Sequence, residues 1–214
     1  MRQTLISTAV LSLVLTPSIC TAQQIESRIV QPRAIPAEAA YTGNLVAARS
    51  WTDALGENLL ILSLTDELPS RGEYGRDIET YGYHYLRREG GYALLWRTTD
   101  FVRKCDLDMT LKVGPRTVAI TDLDADGTAE TTFMYIMGCY GGVDPLTMKL
   151  LMHEGATKYA IRGSTDLSVE LHSPDYASEM NIDPSLRDGP AAFREFAVRH
   201  WNRFKRYSPW FAED

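Results

Sequence analysis

The chain has 214 residues, with 22 Lys and Arg against 28 Asp and Glu and a net charge of −6 at pH 7. An acidic chain argues against a nucleic-acid partner, because neutralising phosphates takes a basic surface. The length suits one folded unit with a sizeable core.

The first segment reads as an export signal. Arg2 supplies a positive start, Leu5 to Leu15 is apolar or small and uncharged, and Pro17 breaks the run. Cys20-Thr21-Ala22 then places small residues before Gln23. These are the three parts of a signal peptide, expected over residues 1–22. The apolar run falls short of the roughly 20 residues that span a bilayer, and no later run is long enough either. A lipid anchor at Cys20 is disfavoured, because bulky Ile19 stands where a lipoprotein site needs a small residue. The expected location is the periplasm, the cell surface or the exterior.

Residues 23–40 form a polar arm with Pro32 and Pro36, and 41–214 read as one β-rich domain. Leu59 to Leu62 is a compact apolar run. Tyr81, Tyr83 and Tyr85 alternate, as do Tyr92, Leu94 and Trp96, and Gly90-Gly91 between them predicts a hairpin. Leu107, Met109, Leu111 and Val113 alternate up to Gly114-Pro115. Gly155 separates Lys149–Glu154 from Lys158–Arg162 in a second predicted hairpin. The expected class is mainly β (α+β): an antiparallel β domain closed by a C-terminal amphipathic helix. That helix, at about 190–206, carries Phe193, Phe196, Ala197, His200, Trp201 and Phe204 at helical spacing. Pro190 suits its first turn, with Asp188 or Gly189 as cap. The aromatic stripe is expected to cover the sheet, with His200 as a core or rim residue.

Two cysteines follow the signal, Cys105 and Cys139. In an oxidising compartment such a pair predicts a disulfide closing a loop of roughly 34 residues.

The clearest chemistry lies in Asp122-Leu123-Asp124-Ala125-Asp126-Gly127-Thr128-Ala129-Glu130. Calcium takes six to eight oxygen ligands. Alternate spacing directs Asp122, Asp124 and Asp126 to one side of a turn that Gly127 permits. The Thr128 carbonyl and Glu130 complete the expected oxygen set. Four carboxylates in so short a stretch repel one another without a cation. Magnesium fits less well, since it demands tighter octahedral geometry. The loop is not an EF-hand: position twelve is Phe133, and its flanks read as strands. Its spacing resembles the D-x-D-x-D-G-x-x-D/E hairpin loops of FG-GAP and related repeats in extracellular β-propellers. That resemblance covers the loop alone and implies Ca2+ as cofactor. Asp53-Ala54-Leu55-Gly56 echoes part of the loop, but two echoes establish no repeat.

No catalytic constellation stands out. His153-Glu154 starts like a zinc-protease helix but lacks the second His, and Gly163-Ser164-Thr165 does not continue as a nucleophile elbow. Asp106 with Asp108, or Asp53 with Glu57, are candidate carboxylate pairs for sugar hydrolysis. Trp51, Trp96, Tyr81 and Tyr83 are more simply core or rim aromatics.

Several stretches together resemble a family of exported bacterial surface-polysaccharide biosynthesis proteins. They are Trp51-Thr52-Asp53 with Gly56 and Asn58, Trp96 with Asp100, Cys105 with Asp108, Ile120 to Glu130, and Cys139. Lys149 to Met152 with Glu154, Lys158 to Gly163, and the Phe193–Phe204 helix continue the pattern. The chain departs from it at Tyr140 to Pro145, where the family carries a polar stretch leading to Ser-Pro. The resemblance implies an envelope role linked to lipopolysaccharide or capsule, and no reaction. The expected function is a non-catalytic, calcium-stabilised module binding an envelope glycan or protein in support of surface polysaccharide production. The alternatives are an enzyme acting on glycosides through paired carboxylates, or a secreted interaction or inhibitor protein.

Overall fold

The computed structural model describes residues 23–72 and 74–206, so the expected signal peptide lies outside the described residues. In chain order the first strands are β1 (Gln23–Gln24), β2 (Arg28–Ile29), β3 (Asn44–Asp53), β4 (Gly56–Leu64), β5 (Leu68–Pro69), β6 (Arg76–Arg88) and β7 (Gly91–Cys105). They are followed by β8 (Asp108–Val113), β9 (Ala119–Asp122), β10 (Glu130–Tyr140), β11 (Thr147–Glu154), β12 (Thr157–Ser164) and β13 (Met180–Ile182). Two helices close the chain, α1 (Pro184–Arg187) and α2 (Ala191–Phe204). Among the described residues no helix is long and apolar enough to cross a membrane.

The strands form two antiparallel sheets, as the alternating runs and Gly turns predict. One runs β1-β9-β10-β11-β12-β13, with β8 also on β10; the other runs β2-β3-β4-β6, with β5 and β7 also on β6. The polar arm takes part in both, since β1 pairs with β9 and β2 with β3.

Burial follows strand periodicity. Leu60, Leu62, Trp96 and Val102 from one sheet meet Leu111, Phe133, Tyr135 and Leu151 from the other. Leu59 and Ile61 face the opposite way, under Ala39 and the partly buried Val30, Ile35 and Tyr41 of the arm. The compact run Leu59–Leu62 is apolar at every position because β4 is covered on both faces. Leu111 and Val113 enter the core, whereas Leu107 precedes β8 and is exposed.

The Gly90-Gly91 hairpin forms, but the alternation of Tyr92, Leu94 and Trp96 does not survive. Tyr85 pairs with Leu94 while His84 pairs with Trp96, so Leu95 is an extra residue in β7. This bulge turns Trp96 into the inter-sheet core, while Tyr92 packs with Tyr83 and Tyr85 on the outer face.

Helix α2 covers the other face of the β10–β11–β12 sheet. Phe193, Ala197, Trp201 and Phe204 are buried against Met134, Met148, Leu150 and Ile161. The helix starts one residue later than the cap signals suggest: Pro190 is its N-cap, and Asp188 instead ends α1. His200 sits between Phe196 and Phe204, and its Nε2–H donates to the Thr117 carbonyl at 2.8 Å.

Cys105 and Cys139 form the expected disulfide, with Cα atoms 5.6 Å apart. It lies far from the acidic loop that it encloses in sequence. Glu130 opens β10 and Cys139 lies near its end, which sets loop and disulfide about 30 Å apart.

Phe193 is fully buried between α2 and the sheet. Phe193→Ala is expected to cost about 3–5 kcal/mol of stability, read as a lowered urea midpoint at unchanged slope.

Candidate metal centre

The acidic segment joins β9 to β10, whose register sets Thr121 opposite Glu130. The turn between them needs left-handed backbone at Gly127 (φ 87°) and also at Ala125 (φ 57°). Glycine takes the first at no steric cost, while alanine adopts the second against its preference. Hydrogen bonds within the segment fix the turn. Gly127 N–H donates to Asp122 Oδ2 at 3.2 Å, Thr128 N–H to Asp126 Oδ1 at 2.6 Å, and Asp126 N–H to Asp124 Oδ1 at 3.4 Å.

The carboxylates gather into two sets that share Asp124. Asp122, Asp124 and Glu130 bring one oxygen each within 4.8 Å of one another, and so do Asp124, Asp126 and Glu154. Asp126 therefore stands with Glu154 rather than with Asp122 and Glu130. These clusters can hold a metal ion, and their all-oxygen chemistry suits a hard cation.

Burial makes the first set more than a surface accumulation of acids. Glu130 is fully buried and Asp122 is 8 % exposed. Glu130 accepts from Thr121 Oγ1 at 2.9 Å and from Leu123 N–H at 3.0 Å. Burial pushes its carboxyl up to about 8, and the Asp124 charge adds to the rise. Among the described residues Asp122 Oδ1 is buried without any hydrogen-bond partner, as is Glu154 Oε1. An unpaired buried carboxylate oxygen costs several kcal/mol unless a cation compensates it.

Glu154 was not visible in the acidic motif. It enters through strand register, because β10 and β11 pair Glu130 directly opposite Glu154. Like charges directly opposite in a ladder are destabilising. Burial raises the Glu154 pKa, with Asp124, Asp126 and Asp122 adding to the shift. The signal for this residue was the Gly155 hairpin, which fixes where β11 ends. Thr128 contributes the N–H bond described above, and its carbonyl remains an expected ligand.

A second element missed as part of the site is Asp53. Its Oδ1 accepts from Leu55 N–H at 2.8 Å and Asn58 Nδ2 at 2.9 Å. Its Oδ2 accepts from Trp51 Nε1 at 2.9 Å and from Ala129 N–H, inside the acidic loop, at 3.1 Å. Ala54 N–H also donates to the Gly127 carbonyl at 2.8 Å. The Asp53–Gly56 turn thus clamps the loop from the opposite sheet. Both Asp53 oxygens are thus engaged in holding the two turns together. Asp106 and Asp108, the other candidate pair, are exposed where β8 begins.

From Asp53 a polar chain runs into the inter-sheet core. Asn58 donates to Asp53, so its Oδ1 accepts from His84 Nε2–H at 2.8 Å. His84 packs edge-on against Trp96, which stacks on His153 at 3.9 Å. The Nδ1 atoms of both histidines are buried and unpartnered. Beside this chain lies an open groove of about 540 Å³, lined by Glu26, Arg28, Trp51, Glu57, Asn58 and Tyr92 among others. Trp51 and Trp96 are buried, as core aromatics are.

No protein-family model, curated protein or solved structure matches this chain.

Burial lowers His84 to about 4 and His153 to about 3, so both are neutral at pH 7. The unfolded chain takes up these protons near pH 6.5, and the folded chain only near 4 and 3. The associated stability is therefore full above pH 6.5 and is lost as pH falls towards those values. His84→Gln keeps a donor for Asn58 and removes one titration. It is expected to flatten the loss of urea stability between pH 6.5 and 4 by a few kcal/mol, because each tenfold difference in proton affinity between the folded and unfolded chain is worth about 1.4 kcal/mol.

Proposed function

We propose that this chain is an exported, calcium-stabilised β module of the cell envelope. Its work is to bind an envelope glycan or protein in support of surface polysaccharide production, without catalysing a reaction. One observation carries the calcium reading: the buried, unpartnered Oδ1 of Asp122 within the Asp122–Asp124–Glu130 cluster. Calcium suits the set better than magnesium, because it accepts irregular, high-coordination oxygen cages that a flexible acidic turn can supply. Asp124, common to both clusters, is the ligand whose loss should matter most.

Envelope location is supported by the order of charged, apolar and small residues before Gln23, and by the disulfide, which persists in oxidising compartments. The polysaccharide role follows the family resemblance. The polar groove beside the Asp53 turn is a suitable place for a ligand, because the metal loop and the groove wall hang on the same carboxylate. Ion binding at this corner would therefore hold the groove wall rigid.

At about 10 mM calcium, a site with a dissociation constant near 10⁻⁴–10⁻³ M adds about 1–3 kcal/mol of stability. The melting temperature of the purified chain is expected to rise by several degrees over that in chelator. Asp124→Asn should abolish this calcium-dependent rise while leaving the chelator curve unchanged or raised, because like charges are relieved. Identical wild-type curves in calcium and chelator would refute the metal assignment.

A further inference from the structure

Strand β7 is an open edge. Among the described residues it pairs only with β6, so one side of its backbone has no strand partner. Natural sheets blunt such edges with bulges and charges. Here the register shifts lie between His84/Tyr85 and between Arg76/Ile78, each adding a residue to β7. Between them Trp96–Val102 stays regular, paired without interruption from His84 to Ile78. That stretch is about 20 Å of backbone, along which the Phe101 N–H is already taken by Asp100 Oδ1 at 3.0 Å.

The charged side chains around this stretch leave two cations over once their ion pairs are formed. On its outer face lie Arg97 and Phe101, the latter 49 % exposed with the Arg103 guanidinium over its ring at 4.4 Å. Arg103 is already paired with Glu79 and Asp77. The inner face looks onto the opposite sheet, where Trp96 stacks on His153 and Asp100 holds Lys149 and Tyr135. Beyond these stands Lys158, directly across the ladder from His153. Two carboxylates lie near Lys158, but Asp100 is engaged by Lys149 and Asp183 by Arg162. Burial lowers the Lys158 pKa, and the Arg162 charge lowers it further. Arg97 and Lys158 are both exposed, and neither forms an ion pair among the described residues.

We propose that the Trp96–Val102 edge is a docking strip for an extended acidic peptide of a protein partner, added beside β7 as a further strand. Main-chain hydrogen bonds supply the affinity and alternate side chains the selection, as in other strand-addition complexes. Successive residues of an added strand point to opposite faces. Two neighbouring acidic residues therefore reach Arg97 on the outer face and Lys158 on the inner one. An apolar residue further along the same outer row covers Phe101. A second copy of this chain is the poorer occupant, because antiparallel pairing of two β7 edges sets one cationic strip against another. This inference goes beyond the groove proposed above by adding a second surface with its own partner, and it does not require the metal.

The test uses the full chain and a labelled, end-blocked peptide of about six residues built from Glu-Glu and Val. Fluorescence anisotropy is read in calcium and again in chelator. Saturable binding is expected, weakened about tenfold or more by Arg97→Glu combined with Lys158→Glu and weakened also by added salt. Amide exchange should slow across Trp96–Val102 on binding. Both substituted side chains are exposed, so the double variant should melt like the wild type. No saturable binding, equal binding of the peptide with Lys in place of Glu, unchanged binding by the double variant, or dimerisation through this edge would each overturn the proposal. Peptide binding alongside a melting curve indifferent to chelator would remove the metal reading and leave this one standing.

Discussion

The carboxylate of Asp53 joins the two sheets at the end where the acidic loop sits. It takes two donors from its own hairpin turn and its neighbour Asn58, one from the Trp51 indole, and one from Ala129 in the acidic loop of the facing sheet. Charge-assisted bonds of this kind are stronger than neutral ones, and partly buried networks of them fix geometry. Besides its own turn bonds the acidic loop is held by this carboxylate and by the Ala54 N–H bond to the Gly127 carbonyl, and the Asp122 and Glu154 oxygens stand outside both sets. The Asp122–Asp124–Glu130 cage is therefore built by two sheets together, although the motif that announces it lies in one hairpin.

The motif was legible because it is local: carboxylates at alternate positions followed by glycine describe a turn whatever surrounds it. The strands, both Gly hairpins and the C-terminal helix were legible for a similar reason, since periodicity and turn residues act over a few neighbours. The helix stripe Phe193–Ala197–Trp201–Phe204 is buried as its spacing implies. What sequence could not convey was pairing. Glu154 joins the acidic site only because β11 runs back along β10, and Asp53 only because the β3–β4 turn meets the loop across the sandwich. The similarity of Asp53–Gly56 to Asp124–Gly127 looked like a faint repeat, yet the two segments are in contact. The alternation of Tyr92, Leu94 and Trp96 was broken by a single inserted residue, since one bulge in β7 reverses the faces of what lies beyond it.

The enclosed histidines show how the same end of the core avoids charge. His84 and His153 lie among Trp51 and Trp96, with neutral rings and one nitrogen each left without a partner. Hydrogen bonding orders only one side of this group: Asn58 fixes the His84 tautomer, and Asn58 is itself fixed by Asp53. A disturbance of the loop thus has a continuous physical route into the inter-sheet core, through Ala129, Asp53, Asn58 and His84. Each step is a directional bond with one donor and one acceptor, so a rotation at Asp53 must be answered at Asn58.

Strand β10 carries a crosslink of a different kind at each end. Near Tyr140 the disulfide ties Cys139 to the end of β7, and at Glu130 the acidic site gathers side chains from β9, β10, β11 and the connecting loop. The disulfide acts mainly by restricting the unfolded chain, so it stays in force whatever the folded chain binds. The acidic end differs, because its carboxylates repel one another, and the proposed cation would relieve that repulsion. A strand fixed covalently at one end and electrostatically at the other has only one adjustable end. That end adjoins the Asp53 turn and the groove beside it, so under the metal proposal a change in ion occupancy would be felt first where the polar concavity lies. The β7 edge is fixed from elsewhere: the disulfide holds its end at Cys105, and Trp96 and Asp100 anchor its middle on β11. The two surfaces thus answer to different constraints, and they meet at His84, which ends the chain of bonds from the loop and packs on Trp96.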